Sequence, residues 1–183
     1  ATRLLAPARD PHLFLRVGDK TLPTHRRSYP HNFNLDTVRK LVPDLRQASP
    51  IVWTGTLKEG PTYLLITAWD ASDPRAIDPA YASLADADPA KGLVVDVRPN
   101  GGGDERLACD FAGCFLDTPK VYARNTLRSA GADSPVYDRV VEPNKARPRY
   151  RGKVVVLTGP AVLSSCESFV MMMHQVPGCK LVG

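Results

Sequence analysis

Residues 92–105 read GLVVDVRPNGGGDE, and the fold turns on how this stretch divides. GLVVDV is a short, mostly apolar run of strand length. RPNGGGDE, with a proline and three consecutive glycines, cannot be regular structure. From Glu105 onward, ERLACDFAGCFL has an apolar face on a helical period. The order is therefore strand, glycine-rich loop, helix.

A second unit of this kind lies downstream. KVVVLT (153–158) reads as a buried strand, and SSCESFVMMMHQ (164–175) as a helix. CKLVG (179–183) begins one more strand. Between the units, PKVYARNTL (119–127) is a strand candidate, and the polar stretch 129–153, with three prolines, reads as an excursion or edge region. Upstream, IVWTGTL and PTYLLITAW are strands joined by a tight KEG connection. DASDPRAIDP is a loop and AYASLADA a short helix. Leu35, Val38 and Val42 have helical spacing, which Pro43 ends. RDPHLFLRVG has room for a short strand, and LPTHRRSYPHNFN is polar and irregular. This alternation predicts an α/β fold with a largely parallel sheet whose strands are buried on both faces. Residues 1–55 form an N-terminal region with a short helix and irregular segments, and 56–183 the α/β core.

Composition narrows the classes. Hydrophobic residues make up 43% of the 183-residue chain and charged residues 23%, as in ordinary globular proteins. No apolar run approaches membrane-spanning length, and ATRLLAPARD lacks the apolar core of a secretion signal. The formal charge of +5 is mild, and its basic groups are scattered at Arg26-Arg27, Arg39-Lys40 and Lys145 to Arg151. No aromatic-interleaved basic stripe or zinc-finger spacing is present, so nucleic acid is not an expected partner. No cofactor or metal is expected. The four cysteines are too few to staple a chain of this length. They read as buried free thiols, with a Cys166–Cys179 disulfide as the alternative. The compartment, exported or cytoplasmic, stays open.

In a parallel sheet, functional groups gather where strands end and helices begin. The glycine bend can present backbone amides, at a helix start, to a phosphate, a carboxylate or the oxyanion of an acyl transfer. It is neither a P-loop nor a dinucleotide fingerprint, and a tight strand–helix turn is the plain alternative. The other loop is GPAVLSSCESF (159–169), which places Ser164 just before a helix. Ser164 and Glu167 spell a capping box, S-x-x-E, so Ser164 reads first as an N-cap. Alternatively, it is a nucleophile at the positive end of the helix, without the flanking glycines of the G-x-S-x-G elbow. Together the two loops supply a hydroxyl and two amides, and lack a base.

Here the chain resembles the C-terminal processing, or tail-specific, serine peptidases, with their relatives in the tricorn core and the retinoid-binding repeats. DVRPNGGG is similar to that family's D-x-R-x-N-x-G-G loop, and KVVVLTGPAVLSSCESFVMMM to its strand, turn and S-A-x-E helix. TYLLITAW resembles the preceding strand, RDPHLFL the D-P-H-T segment, and KLVG the strand after the catalytic helix. The resemblance implies a crotonase/ClpP-like spiral sheet core and hydrolysis of protein or peptide substrates through an acyl-enzyme. It implies Ser164 as nucleophile, Gly102, Gly103 and Ser165 as the oxyanion hole, and Glu167, Asp96, Arg98 and Asn100 as support. His12 is implied as base by the tricorn-like branch.

Three features depart from the pattern. The lysine base of the processing peptidases would follow KLVG, and Lys180 falls before its expected place. The usual PDZ domain has no counterpart in residues 13–55. Cys166 stands where a small Ser or Ala is common. Truncation at the C-terminus is therefore an expectation, with a homo-oligomer or a missing C-terminal segment as partner. A binding module of the same fold, or an inactive fragment, is the alternative function. His25 and His31 read as solvated, and Met171 to Met173, beside His174, as core packing.

Overall fold

GLVVDV forms a central strand of a six-stranded sheet in the computed structural model, which describes residues 2–25, 28–129 and 131–183. The Arg26-Arg27 pair lies outside the described residues. The chain divides into two units, Ala1–Pro30 and His31–Gly183.

In the first unit, a short helix α1 (Thr2–Leu5) precedes an antiparallel hairpin of β1 (Phe14–Val17) and β2 (Lys20–Pro23). Gly18 takes φ +58° at its turn, a conformation that costs glycine little. Thr24 is the only buried residue among those described in this unit.

The second unit opens with α2 (Leu35–Leu41), whose N-terminus is capped by Asn34 accepting the Thr37 N–H. Then come β3 (Arg46–Gln47), β4 (Val52–Thr56) and β5 (Thr62–Ile66), followed by α3 (Asp78–Asp86). β6 (Leu93–Asp96) and α4 (Glu105–Ala112) flank the glycine bend. The excursion holds β7 (Lys120–Asn125), β8 (Arg128–Ser129), β9 (Ala132–Asp133) and β10 (Tyr137–Val141). β11 (Val154–Leu157), α5 (Ser165–His174) and β12 (Lys180–Val182) complete the chain.

The sheet order is β12-β11-β6-β5-β4-β3. β5, β6, β11 and β12 are parallel, whereas β4 and β3 join antiparallel. The sheet is thus mixed, and the expectation of a largely parallel one holds for only part of it. The short link from β4 to β5 explains the difference, because a parallel crossover needs a dozen or more residues.

Both faces of the parallel part are covered. Leu64, Ile66, Val95, Val154 and Val156 pack beneath α3, α4 and α5 with Leu84, Phe111, Phe169, Met172 and Met173. Tyr63 and Leu65 point the other way, onto Val38 and Val42 at α2. Alternation on a strand buried on both sides gives the unbroken apolar run TYLLI. Met172 and Met173 are fully buried, and Met171 is exposed. The four cysteines are free thiols, with Cys114 and Cys166 buried and Cys109 and Cys179 half-buried. Among the described residues, no helix is long and apolar enough to cross a membrane.

Candidate active site

Two turns leave the carboxyl ends of the adjacent parallel strands β6 and β11. The turn after β6 is held by its own side chains. Asp96 is fully buried and accepts from the Arg98 backbone N–H (3.0 Å), the Arg98 guanidinium (Nη2, 2.5 Å) and the Tyr63 hydroxyl (2.6 Å). Burial, and then the adjacent Asp96 charge, push the Tyr63 phenol well above its ordinary value, so the hydroxyl keeps its proton and donates. Arg98 also donates to the Asn32 carbonyl at 2.8 Å. Asn100, likewise fully buried, accepts the Gly102 N–H at 2.8 Å and donates to the Ile66 carbonyl at 3.2 Å. Asp96, Arg98 and Asn100 therefore act as the loop's frame.

The bend then docks on Trp69. The Trp69 N–H donates to the Gly102 carbonyl at 3.0 Å, and the Asp104 N–H donates to the Trp69 carbonyl at 2.7 Å. Gly103 is the bridge partner of Trp69. Its φ of +136° suits glycine, and a Cβ there would lie 2.0 Å from the Trp69 carbonyl oxygen. Asp104 caps α4 through the Arg106 N–H.

The second turn ends at Ser164, which has φ 58° and ψ −127°. This is a region that non-glycine residues rarely enter, and it costs roughly 1–3 kcal/mol. Ser164 and Glu167 take the reciprocal capping-box arrangement, with the Glu167 carboxylate accepting the Ser164 N–H at 2.7 Å and the Ser164 side chain facing the Glu167 backbone. Ser164 is half-buried. The Ser165 side chain is buried and its hydroxyl has no partner among the described residues. The backbone N–H groups of Ser165 and Gly103 likewise have no hydrogen-bond acceptor among them. Cys166 is fully buried, and burial pushes its thiol up to about 12, as for a packed, unreactive cysteine.

The two turns touch. A Cβ placed on Gly102 would lie 2.7 Å from the Leu163 carbonyl oxygen, 2.9 Å from Ser164 Cβ and 3.3 Å from the Ser165 nitrogen. No side chain fits between the bend and the serine.

His12 is an exposed residue of the first unit, its Nδ1 3.1 Å from Asp10 Oδ1. The Asp10 carboxyl is held low by hydrogen bonds from the His12 backbone and ring. Lys180 pairs with Val155 near the start of β11, at the opposite end of the strands from Ser164. His174 closes the far end of α5. His31 lines a cavity of about 320 Å³ with Asn32, Phe33 and Arg98. That cavity flanks the strand ends, since Asn32 donates to the Thr158 carbonyl at 3.0 Å. Among the described residues, no group of three or more His, Cys, Asp or Glu side chains is placed to hold a metal ion. Sequence reasoning missed Tyr63, Asn32 and Trp69. Only Trp69 left a signal, as the aromatic end of TYLLITAW.

The family model of peptidase family S41 matches residues 61–183. No curated protein matches the chain by sequence. A candidate peptidase from Parabacteroides merdae ATCC 43184 has a similar fold, with TM-score 0.77 at 21% identity over 98% of this chain and 58% of that one. A lipoprotein from Streptococcus agalactiae gives 0.53 at 17% identity over 80% and 52% of the two chains. A candidate S41 protease from Bacteroides fragilis NCTC 9343 gives 0.50 at 15% identity over 92% and 45%. The chain thus spans only 45% to 58% of the length of these structures.

Proposed function

The chain belongs to peptidase family S41, and from that premise we propose that it is the catalytic part of a serine peptidase acting on protein or peptide substrates, with Ser164 as nucleophile. In this reading, residues 56–183 are the peptidase core, and the sheet is that of the spiral core of tail-specific peptidases. The observation that carries the reading is Ser164 itself. It has a strained backbone and a glycine pressed against it. A plain N-cap needs neither, because a cap has extended backbone. A serine turned out of a sharp strand–helix bend is how a hydroxyl is exposed for attack.

The Ser164 oxygen attacks the peptide carbonyl carbon, and the carbonyl oxygen becomes an oxyanion. The N–H of Gly102 is already given to Asn100. Gly103 and Ser165, whose N–H groups have no acceptor among the described residues, are the donors that hold the oxyanion. Gly102 serves as the spacer that lets the turns meet. The base takes the serine proton and returns it to the leaving amine as the C–N bond breaks. Water then hydrolyses the acyl-serine. The tricorn-like resemblance alone makes His12 the candidate base; within its own unit its Nδ1 faces Asp10.

The test is covalent labelling of the 183-residue chain with a fluorophosphonate, together with hydrolysis of a fluorogenic peptide library. The expected result is one adduct on Ser164 and loss of both signals, by about 10³-fold or more, in Ser164→Ala. Labelling that persists in Ser164→Ala would overturn the assignment. Unchanged hydrolysis in His12→Ala would remove His12 from it.

A further inference from the structure

We propose that Trp69 is the positioning residue of this site, setting the glycine bend in register with the helix that carries the nucleophile. The inference rests on the reading of Ser164 as nucleophile.

Trp69 reaches the glycine bend through its backbone and the helix after the second turn through its side chain. Through its backbone it holds the bend, giving its N–H to Gly102 and taking the Asp104 N–H, with Gly103 between them. In such a bridge the N–H of Gly103 points away from Trp69, which leaves it directed elsewhere by the same contact. The missing Cβ of Gly103 brings this backbone to the Trp69 carbonyl. Through its side chain, Trp69 holds α5. The indole is fully buried, with its ring centroid 5.0 Å from that of Phe169 and 6.2 Å from that of Phe111 on α4. Phe169 lies just over one turn beyond Ser164. The buried indole N–H faces the Cys166 thiol on α5 and counters part of the upward push that burial gives it.

An oxyanion hole built from amides of two separate turns works only if their spacing is fixed. Here one rigid side chain spans from the bend to the helix, packed against Phe169 and Phe111. A displacement of about 1 Å is enough to cost on the order of 100-fold in rate. Trp69 thus acts on the reaction through Gly103 and Ser165 without touching substrate.

The experiment compares Trp69→Phe, Trp69→Leu and Phe169→Leu with Leu84→Ala, a cavity variant on α3 in the same core. Steady-state kinetics, the inhibition constant of a peptide boronate and thermal stability are measured for each. Trp69→Phe keeps a flat ring, and its kcat is expected within about fivefold of wild type. Trp69→Leu and Phe169→Leu should lose about 100-fold in kcat with KM within about threefold. Boronate affinity should fall in parallel, because the boronate probes the oxyanion donors. Leu84→Ala should lose stability to a similar degree yet keep kcat and boronate affinity. Wild-type kcat in folded Trp69→Leu, or an equal kcat loss in Leu84→Ala, would overturn the inference while leaving Ser164 in place. If Trp69→Leu does not fold, Phe169→Leu decides by the same criteria. A wild-type chain that is neither labelled by fluorophosphonate nor active overturns both readings.

Discussion

The two turns of the site solve the same geometric problem by opposite means. The bend after β6 obtains its unusual backbone from glycine and is then locked by Asp96, Arg98, Asn100 and Trp69. The turn after β11 forces a serine into positive φ, with its N–H given to the Glu167 carboxylate and its carbonyl accepting from the first turn of α5. The first is cheap in backbone strain and framed by buried side chains. The second is strained and held by its own helix. A donor cradle has to be rigid before the substrate arrives, whereas a nucleophile has to be turned out of its bend toward the reacting carbon. The contrast between frame and strained serine is the physical content of the functional reading.

The largest effect should come from breaking the frame at its tightest contact. Gly103→Ala puts a Cβ 2.0 Å from the Trp69 carbonyl on a residue at φ +136°, and should destabilise the protein by about 3 kcal/mol or more. Gly101→Ala meets open space and has no positive φ, so it should cost less than about 1 kcal/mol. Urea unfolding of the pair measures the difference, and equal losses would show that the bend is not docked as described.

A smaller effect is expected at Asn100. Asn100→Ala leaves the Gly102 N–H and the Ile66 carbonyl without their partner, a loss of about 1–3 kcal/mol. It also frees the bend, so kcat should fall more than KM rises. A variant with normal kcat and reduced stability would make Asn100 a fold residue alone.

The smallest effect concerns the bonds that tie the helices after the two turns. Burial raises the pKa of Glu105, but hydrogen bonds from Ser168 on α5, Tyr122 and Arg139 outweigh it and hold the carboxyl below its ordinary 4.5. A lowered folded-state pKa contributes stability that is present above pH 4.5 and lost as pH falls through the folded value. Tyr122→Phe removes the 2.8 Å bond to Glu105 and should cost about 1 kcal/mol at pH 7. Denaturation at pH 3 should show a smaller difference between variant and wild type. A difference that is constant with pH would detach it from the Glu105 charge.

Much of this was legible in the chain. VRPNGGG announces an irregular bend because proline and glycine cannot continue a strand, and LVVDV, VVVL and TYLLI announce buried strands. The helix starts after Asp104 and Ser164 were legible for the same reason. The backbone of Ser164 was not, since no glycine marks its positive φ and S-x-x-E suggests an ordinary capping box. The box does form, but on a residue at positive φ, which the motif alone does not announce. The antiparallel edge was implicit in the short KEG link but is masked by the same apolar composition that marks the parallel strands. Strands as short as Arg46–Gln47 have too few residues to show a period. Asn32 and Tyr63 reach the bend across sheet and sequence, and no local pattern reports such contacts.

The most direct measurement is a crystal structure of the fluorophosphonate adduct. A phosphoryl oxygen within about 2.7–3.1 Å of both the Gly103 and Ser165 nitrogens, on phosphorus bonded to Ser164, is the predicted result. An adduct whose oxygen faces solvent, or is bound by neither amide, would contradict the account.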